Sequence, residues 1–361
     1  MPVPRVTVLL AVCNGEPHLG DSIRSILGQT LRDLELLVVD DASSDGSAAT
    51  LASFRDPRLR VVRNEENLGL TRSLNRGLAL TGSEYVARLD ADDLSFPERL
   101  ERQVAFLDAN PEVGVVGAQG IPIDVRGRRL SRVGWWHREW RRPAGGAAFD
   151  WYRMFDTPFI HSSVMFRRAL VRDELGGYDE SFLLSQDAEL WMRAARRTRM
   201  ANLDAPLVAM RIRPSSLTAD PARRKERGTR EQKIAILRAA MTDVLRDSDV
   251  PMRIAETWID VNDAAAAVSP QAIRVLRDDV DSLAARFPRE RAIRRHRASM
   301  LARMIEKAAP GSRGLALALL AGLVRLDPTG ALLLLPRVVL RLLFGDLPFR
   351  WRRAVWRRRT A

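Results

Sequence analysis

The sequence predicts an α/β fold on a mostly parallel sheet, followed by an all-helical region. Over the first 120 residues, short β-rich apolar runs alternate with stretches of helical periodicity. From Pro221 onward only the helical period remains. Charge divides the chain at the same place. The 361 residues carry 58 Lys+Arg and 45 Asp+Glu, a net of +13. Residues 1–220 hold 29 basic and 30 acidic side chains, leaving 29 and 15 for residues 221–361. A near-neutral α/β domain is therefore expected over 1–220 and a basic helical region over 221–361, with Pro214 and Pro221 as breaks.

The elements follow in order. Residues 5–12 read as a first strand and 17–29 as a helix with Leu19, Ile23, Ile26 and Leu27 on one face. Residues 34–39 read as a strand, 47–54 as a short helix and 59–63 as a third strand. Residues 70–80 read as a helix with Leu74 and Leu78 in step, and 85–89 as a fourth strand. The helix at 96–109 is expected to start with Ser95 as N-cap and Pro97 in its first turn. Residues 113–118 give a fifth strand. The pattern lapses over 120–160, then returns as 163–166, a helix at 186–197 and a strand at 206–212. Parallel sheets covered on both faces bind ligands at the carboxyl ends of their strands. The polar clusters 14–16, 40–45 and 90–93 lie there.

Composition narrows the classes. A hydrophobic fraction of 46% excludes a disordered chain. One cysteine, Cys13, excludes an internal disulfide, and the cytoplasm is the expected compartment. The short apolar start reads as a buried strand and not as a signal sequence.

Three motifs carry chemistry. In Leu89-Asp90-Ala91-Asp92-Asp93, three carboxylates in four positions repel one another unless a cation sits among them. Hard oxygen ligands suit Mg²⁺ or Mn²⁺ and leave coordination open for a diphosphate, while a solvated acidic turn is the competing reading. In Val39-Asp40-Asp41-Ala42-Ser43-Ser44-Asp45-Gly46, a strand-end carboxylate is placed to accept from a base or a ribose hydroxyl. Asp45 fits a capping role for the next helix. In Ser185-Gln186-Asp187, the acid sits at a loop-to-helix junction and reads either as a general base or as a cap.

Together these residues resemble the family 2 glycosyltransferases of bacterial cell-surface polysaccharide synthesis, which have the GT-A fold. The resemblance spans roughly residues 4–213. It rests on the run from Val6 to Glu16, Gln29-Thr30, the Asp40-Asp41 turn, Asn67-Leu68-Gly69, Asn75-Arg76-Gly77 and the Asp90–Asp93 motif. His161-Ser162-Ser163-Val164-Met165-Phe166-Arg167, Gly176-Gly177-Tyr178-Asp179-Glu180 and Gln186-Asp187 before Leu190-Trp191 complete it. It implies a nucleotide-sugar donor, UDP-linked before GDP- or TDP-linked. It implies that Ala11, Asn14, Glu16 and Asp41 hold base and ribose. Asp92, with Asp90 or Asp93, would bind Mn²⁺ or Mg²⁺ bridging the diphosphate. Asp187 matches the catalytic base of an inverting, single-displacement reaction.

Where relatives commonly carry a His, this chain has Arg213, which cannot ligate a metal but suits a diphosphate contact. His161 is assigned a supporting role beside the acceptor, a saccharide or glycolipid. Trp135, Trp136, Trp140, Trp151 and Tyr152 read equally as an acceptor platform or as a hydrophobic plug. The tail from 289 to 361 combines apolar stretches too short to span a bilayer with terminal Trp and Arg clusters. An anionic membrane surface is its expected partner, against packing on the rest of the protein. Two other functions compete. A nucleotidyltransferase would want a basic Gly-rich loop after the first strand, and Asn14-Gly15-Glu16 has no cation. A nucleic-acid binder would place its charge on a reader motif, and none is present, so no nucleic-acid partner is expected.

Overall fold

The computed structural model describes residues 3–130, 141–182, 185–213, 230–247, 252–262, 268–307 and 313–328. The chain folds into two compact units. The first comprises residues 1–129 and 157–212, the second 130–156 and 213–361. The first unit is thus interrupted by a segment that belongs to the second.

The first unit is built on one eight-stranded sheet. Its strands are β1 (Val6–Val12), β2 (Leu34–Asp40), β3 (Leu59–Arg63), β4 (Tyr85–Arg88), β5 (Leu94–Ser95), β6 (Val113–Ile123), β7 (Met165–Arg167) and β8 (Arg199–Arg211). Their order is β3-β2-β1-β4-β7-β6-β8-β5. β1 pairs in parallel with both β2 and β4, so the chain reverses its direction of winding at β1, where ligands enter such sheets. β7 runs antiparallel between β4 and β6, and β5 runs antiparallel to β8. β1 is buried along its whole length, as a strand covered on both faces must be.

The helices of this unit follow from their apolar spacing. α1 (Leu19–Leu27) buries Leu19, Ile23 and Ile26. α2 (Ser47–Ser53) is short and buries Leu51. α3 (Leu70–Leu80) buries Leu74 and Leu78. Gly77 lets α3 lie close on β1, because a Cβ there would come within 2.2 Å of Leu9 Cδ1. α4 (Arg99–Ala109) begins later than expected. Ser95 does not cap it but belongs to β5, where its N–H donates to Ser25 Oγ at 3.1 Å and its Oγ accepts from Gln29 Nε2 at 3.1 Å. β8 starts well before the expected 206, pairing with β6 across register shifts.

The second unit contains α5 (Gly146–Arg153) within its first segment; α6 (Gln186–Ala195) belongs to the first unit. It continues with α7 (Arg230–Leu245), α8 (Met252–Asn262), α9 (Pro270–Ala284), α10 (Arg291–Lys307) and α11 (Arg313–Leu326). Ser269 caps α9, its hydroxyl accepting from Ala272 N, with Pro270 in the first turn. Trp151, Phe155, Trp258, Met300 and Leu319 lie in one buried cluster. Trp151 and Tyr152 are therefore core residues of this unit, the plug of the two sequence readings. Among the described residues no helix is long and apolar enough to cross a membrane.

Candidate active site

The strand-end loops are clasped to one another before any ligand is considered. After β1 the chain turns through Asn14 in the left-handed region (φ 58°). Asn14 Oδ1 accepts Ser44 N–H at 2.8 Å and Asp45 N–H at 3.3 Å. In return Asn14 N–H donates to Ser43 Oγ at 3.0 Å, and Gly15 N–H to Ser47 Oγ at 2.9 Å. Asp45 accepts Glu16 N–H at 3.0 Å and Ser47 N–H at 2.9 Å, so it serves both loops. Glu16 accepts Thr50 Oγ1–H at 2.6 Å. Ala11 is a buried strand residue paired with Val39.

Asp41 is buried and heavily used. Its carboxylate accepts Asn64 Nδ2–H at 2.6 Å, Leu68 N–H at 2.8 Å and Gly69 N–H at 2.9 Å. It holds the loop 64–69 in place. The neighbouring Asp40 accepts Ser43 N–H at 3.0 Å and pairs with Arg63 at 3.4 Å.

The three acids after β4 take three different settings. Asp90 Oδ1 accepts Arg88 Nη2–H at 2.7 Å and Asp90 Oδ2 accepts Ser162 Oγ–H at 2.8 Å. Asp92 is half-buried on the same loop. Asp93 turns inward, where its Oδ1 accepts Arg211 N–H at 2.9 Å. Burial, then Asp92 and Asp90, push the Asp93 carboxyl well above the usual carboxylate range. The mutual repulsion felt at Asp93 is what a divalent cation among these acids would relieve. Among the described residues no three His, Cys, Asp or Glu side chains form a metal cage by themselves. A donor's own phosphate oxygens would have to complete the coordination.

His161 opens a short turn, His161–Ser163, and its Nε2 lies 3.2 Å from Tyr178 OH. Burial lowers its pKa, with Arg88 adding to the effect, while Asp187 and Asp90 oppose it. The same two acids act on Tyr178, whose pKa burial raises. Asp90 and Asp187 thus both act electrostatically on the His161–Tyr178 pair. Asp187 stands in the first turn of α6, where the helix dipole favours a carboxylate. The loop leading to it is tied down from both sides. Asn75 Nδ2–H donates to Tyr178 O at 2.9 Å and Asn75 Oδ1 accepts Tyr178 N–H at 2.9 Å. Arg193 donates to Leu175 O at 2.7 Å and Gly177 O at 2.8 Å. Gly177 has φ 81°, and a Cβ there would meet Asn75 Oδ1 at 2.6 Å.

The sequence reading did not assign Arg88, Ser162, Tyr178 or Arg211 to the site. Arg211 donates from Nε to Asp92 O at 2.9 Å and from Nη1 to Asp124 O at 3.1 Å and Val125 O at 3.0 Å. It pins the acidic loop to the turn after β6. Arg213, the residue singled out by sequence, falls in the second unit. Trp135 and Trp136 lie outside the described residues.

Comparison with known proteins adds the family. A model described as "Glycosyl transferase family 2" matches residues 7–175. The amylovoran biosynthesis glycosyltransferase AmsE of Erwinia amylovora is 32% identical over 216 residues, covering 58% of this chain and 76% of that protein. The chain belongs to glycosyltransferase family 2. Another relative of this family 2 glycosyltransferase, "Putative glycosyltransferase EpsE" of Bacillus subtilis, is 37% identical over 195 residues. That match covers 53% of this chain and 66% of EpsE, just under two thirds of its length. Among solved structures, the mannosyltransferase PcManGT of Pyrobaculum calidifontis, in complex with GDP-Man and Mn²⁺, superposes with a TM-score of 0.55 at 22% identity. That likeness covers 95% of this chain and 88% of PcManGT. S. aureus TarS 1–349 with UDP-GlcNAc gives a TM-score of 0.54 at 18% identity, covering 91% and 90%. The shared architecture is the GT-A fold, here followed by a helical C-terminal region.

Proposed function

We propose that this glycosyltransferase moves a sugar from a nucleotide-diphosphate donor to a hydroxyl of a saccharide or lipid-linked acceptor, with inversion and with Asp187 as base. The observation that carries the reading is the setting of two acids, Asp90 held at the end of β4 by Arg88 and Ser162 and Asp187 in the first turn of α6. One carboxylate belongs to the donor-phosphate side and the other is offered to an incoming hydroxyl. Asp187 stands in the first turn of α6, and the reading gives it the proton of the acceptor hydroxyl.

In the proposed step the acceptor oxygen forms a bond to the anomeric carbon while Asp187 accepts its proton. The bond from that carbon to the phosphate oxygen breaks, and the nucleoside diphosphate leaves with the electron pair. Attack opposite the leaving group inverts the centre, and no covalent enzyme intermediate forms. Mn²⁺ or Mg²⁺, held by Asp92 with Asp90, would neutralise the charge growing on the diphosphate. The clasped loops 13–16 and 43–47 and the loop 64–69 form the nucleoside side, with Ala11, Asn14, Glu16 and Asp41 shaping it. We assign Asp93 and Arg211 to holding the acidic loop. His161 goes to the acceptor side.

UDP is the first donor to test and GDP the second, since TarS was solved with UDP-GlcNAc and PcManGT with GDP-Man. The name of AmsE, a biosynthetic protein for amylovoran, supports a polysaccharide product, made at the cytoplasmic face of the membrane. There the basic region 289–361 would rest on anionic lipid. Supporting this, α11 buries Leu315, Leu319 and Leu323 inside its unit yet leaves Leu317 (54% exposed) and Val324 (47%) outside. Thermal unfolding with UDP-, GDP- and TDP-sugars, with and without Mn²⁺, tests the donor reading. A ligand of the folded state raises the melting temperature, and no rise with any of them overturns it. Flotation with anionic and neutral vesicles tests the membrane reading, which fails if the full chain ignores both.

A further inference from the structure

We infer that Arg88 and Ser162 are positioning residues that lock Asp90 in the orientation the divalent cation needs. The inference rests on the metal-dependent reading above and extends it to two side chains that reach the site from within the protein.

Arg88 closes β4, and only 1% of it is exposed. Its Nη2–H donates to Asp90 Oδ1 at 2.7 Å, while Nη1 donates to Leu9 O at 3.2 Å and also to Leu89 O. Ser162 grips Asp90 at two points. Its Oγ accepts Asp90 N–H at 3.2 Å and donates to Asp90 Oδ2 at 2.8 Å. Both carboxylate oxygens are thus engaged by protein, Oδ1 by a guanidinium and Oδ2 by a hydroxyl. The carboxylate plane is fixed by a cation on one side and a hydroxyl on the other.

The arrangement is costly by itself. The Arg88 Nε–H is buried without a hydrogen-bond partner. Arg99, wholly buried behind it, donates to Arg88 O at 2.8 Å and Val164 O at 3.2 Å, yet its Nη1 is also unpartnered. Burial and the neighbouring Arg88 push the Arg99 pKa down to about 9, while Asp93 opposes them. Two guanidinium groups with unmet donors, set beneath a loop of three acids, are explained by the acids. They supply countercharge from the protein side, so the loop keeps its shape before cation and donor arrive. Groups behind a ligand commonly change metal affinity by about 10- to 100-fold when removed.

The test uses the full chain with UDP or GDP and reads free Mn²⁺ by electron paramagnetic resonance, which needs no turnover. Ser162→Ala and Arg88→Met should each weaken Mn²⁺ retention about 10-fold or more. Arg88→Lys, which restores the charge but not the fork, should fall between Arg88→Met and the wild type. Ser162→Ala should achieve this with an unchanged melting temperature, which separates positioning from general damage. It also decides the matter if Arg88→Met does not fold. Folded variants with the wild-type Mn²⁺ titration overturn the inference alone. A wild-type chain that retains no Mn²⁺ with either nucleotide overturns the inference together with the reading it rests on.

Discussion

The two units spend buried polarity in opposite ways. In the first, buried ionisable groups gather at the carboxyl ends of strands, where Asp40, Asp41, Asp93, Arg88 and Arg211 hold loops in position. In the second, the buried polar group at the centre is neutral. His296 Nδ1 accepts Trp151 Nε1–H at 3.1 Å, and its ring stacks on Tyr152 at 4.1 Å between centroids. Burial lowers the His296 pKa to about 3. Charge kept in a dry site can act on a ligand, whereas a neutral ring among aromatics can only specify packing. The difference assigns chemistry to the first unit and cohesion to the second.

That contrast can be broken at four points, in falling order of effect. Asp187→Asn should cut transfer by about 10³-fold, near 4 kcal/mol, while leaving the melting temperature unchanged. Steady-state kinetics and calorimetry check it together, and a folded variant with full activity removes Asp187 from the mechanism. Trp258→Ala, a cavity at a side chain 1% exposed whose Nε1–H bonds Phe155 O at 2.6 Å, should destabilise by about 3 kcal/mol in urea unfolding. His296 gives a pH signature. Its folded pKa lies below the unfolded 6.5, so its stabilising contribution is complete above pH 6.5 and is lost as pH falls toward 3. Between pH 6.5 and 5 the loss should reach about 2 kcal/mol, and His296→Gln should flatten that slope. Arg142→Ala is the mildest. The guanidinium lies 5.1 Å from the Tyr152 ring centroid, and its removal should cost about 0.5–1 kcal/mol, read by the same unfolding assay.

Much of the first unit was legible in sequence because its signals are local. β1 to β4 and α1 to α3 are single runs of one period, and the acids of the site sit where those runs end. What sequence missed depends on register. Ser162 meets Asp90 across 72 positions and Arg211 meets Asp93 across 118, so only the pairing of β7 and β8 with the rest of the sheet brings them together. Arg88 read as one residue of an apolar strand over 85–89, and nothing local marked its guanidinium as a clamp. The antiparallel course of β7 was equally hidden, since a three-residue strand carries no direction in its composition. Residues 146–153 looked irregular because Trp151 answers to His296, 145 positions away, and not to its own neighbours.

The chain leaves the first unit after residue 129 and re-enters it at 157. Cutting the protein after residue 220, the boundary that charge suggests, would therefore not release a clean catalytic half. It would strand Trp151, Met154 and Phe155 without the helices that cover them. Such a fragment should be sticky and poorly soluble. A usable minimal enzyme would need residues 130–156 replaced by a short polar bridge. By the same logic, a gene fusion that swaps C-terminal regions between relatives must exchange this inserted segment along with the tail.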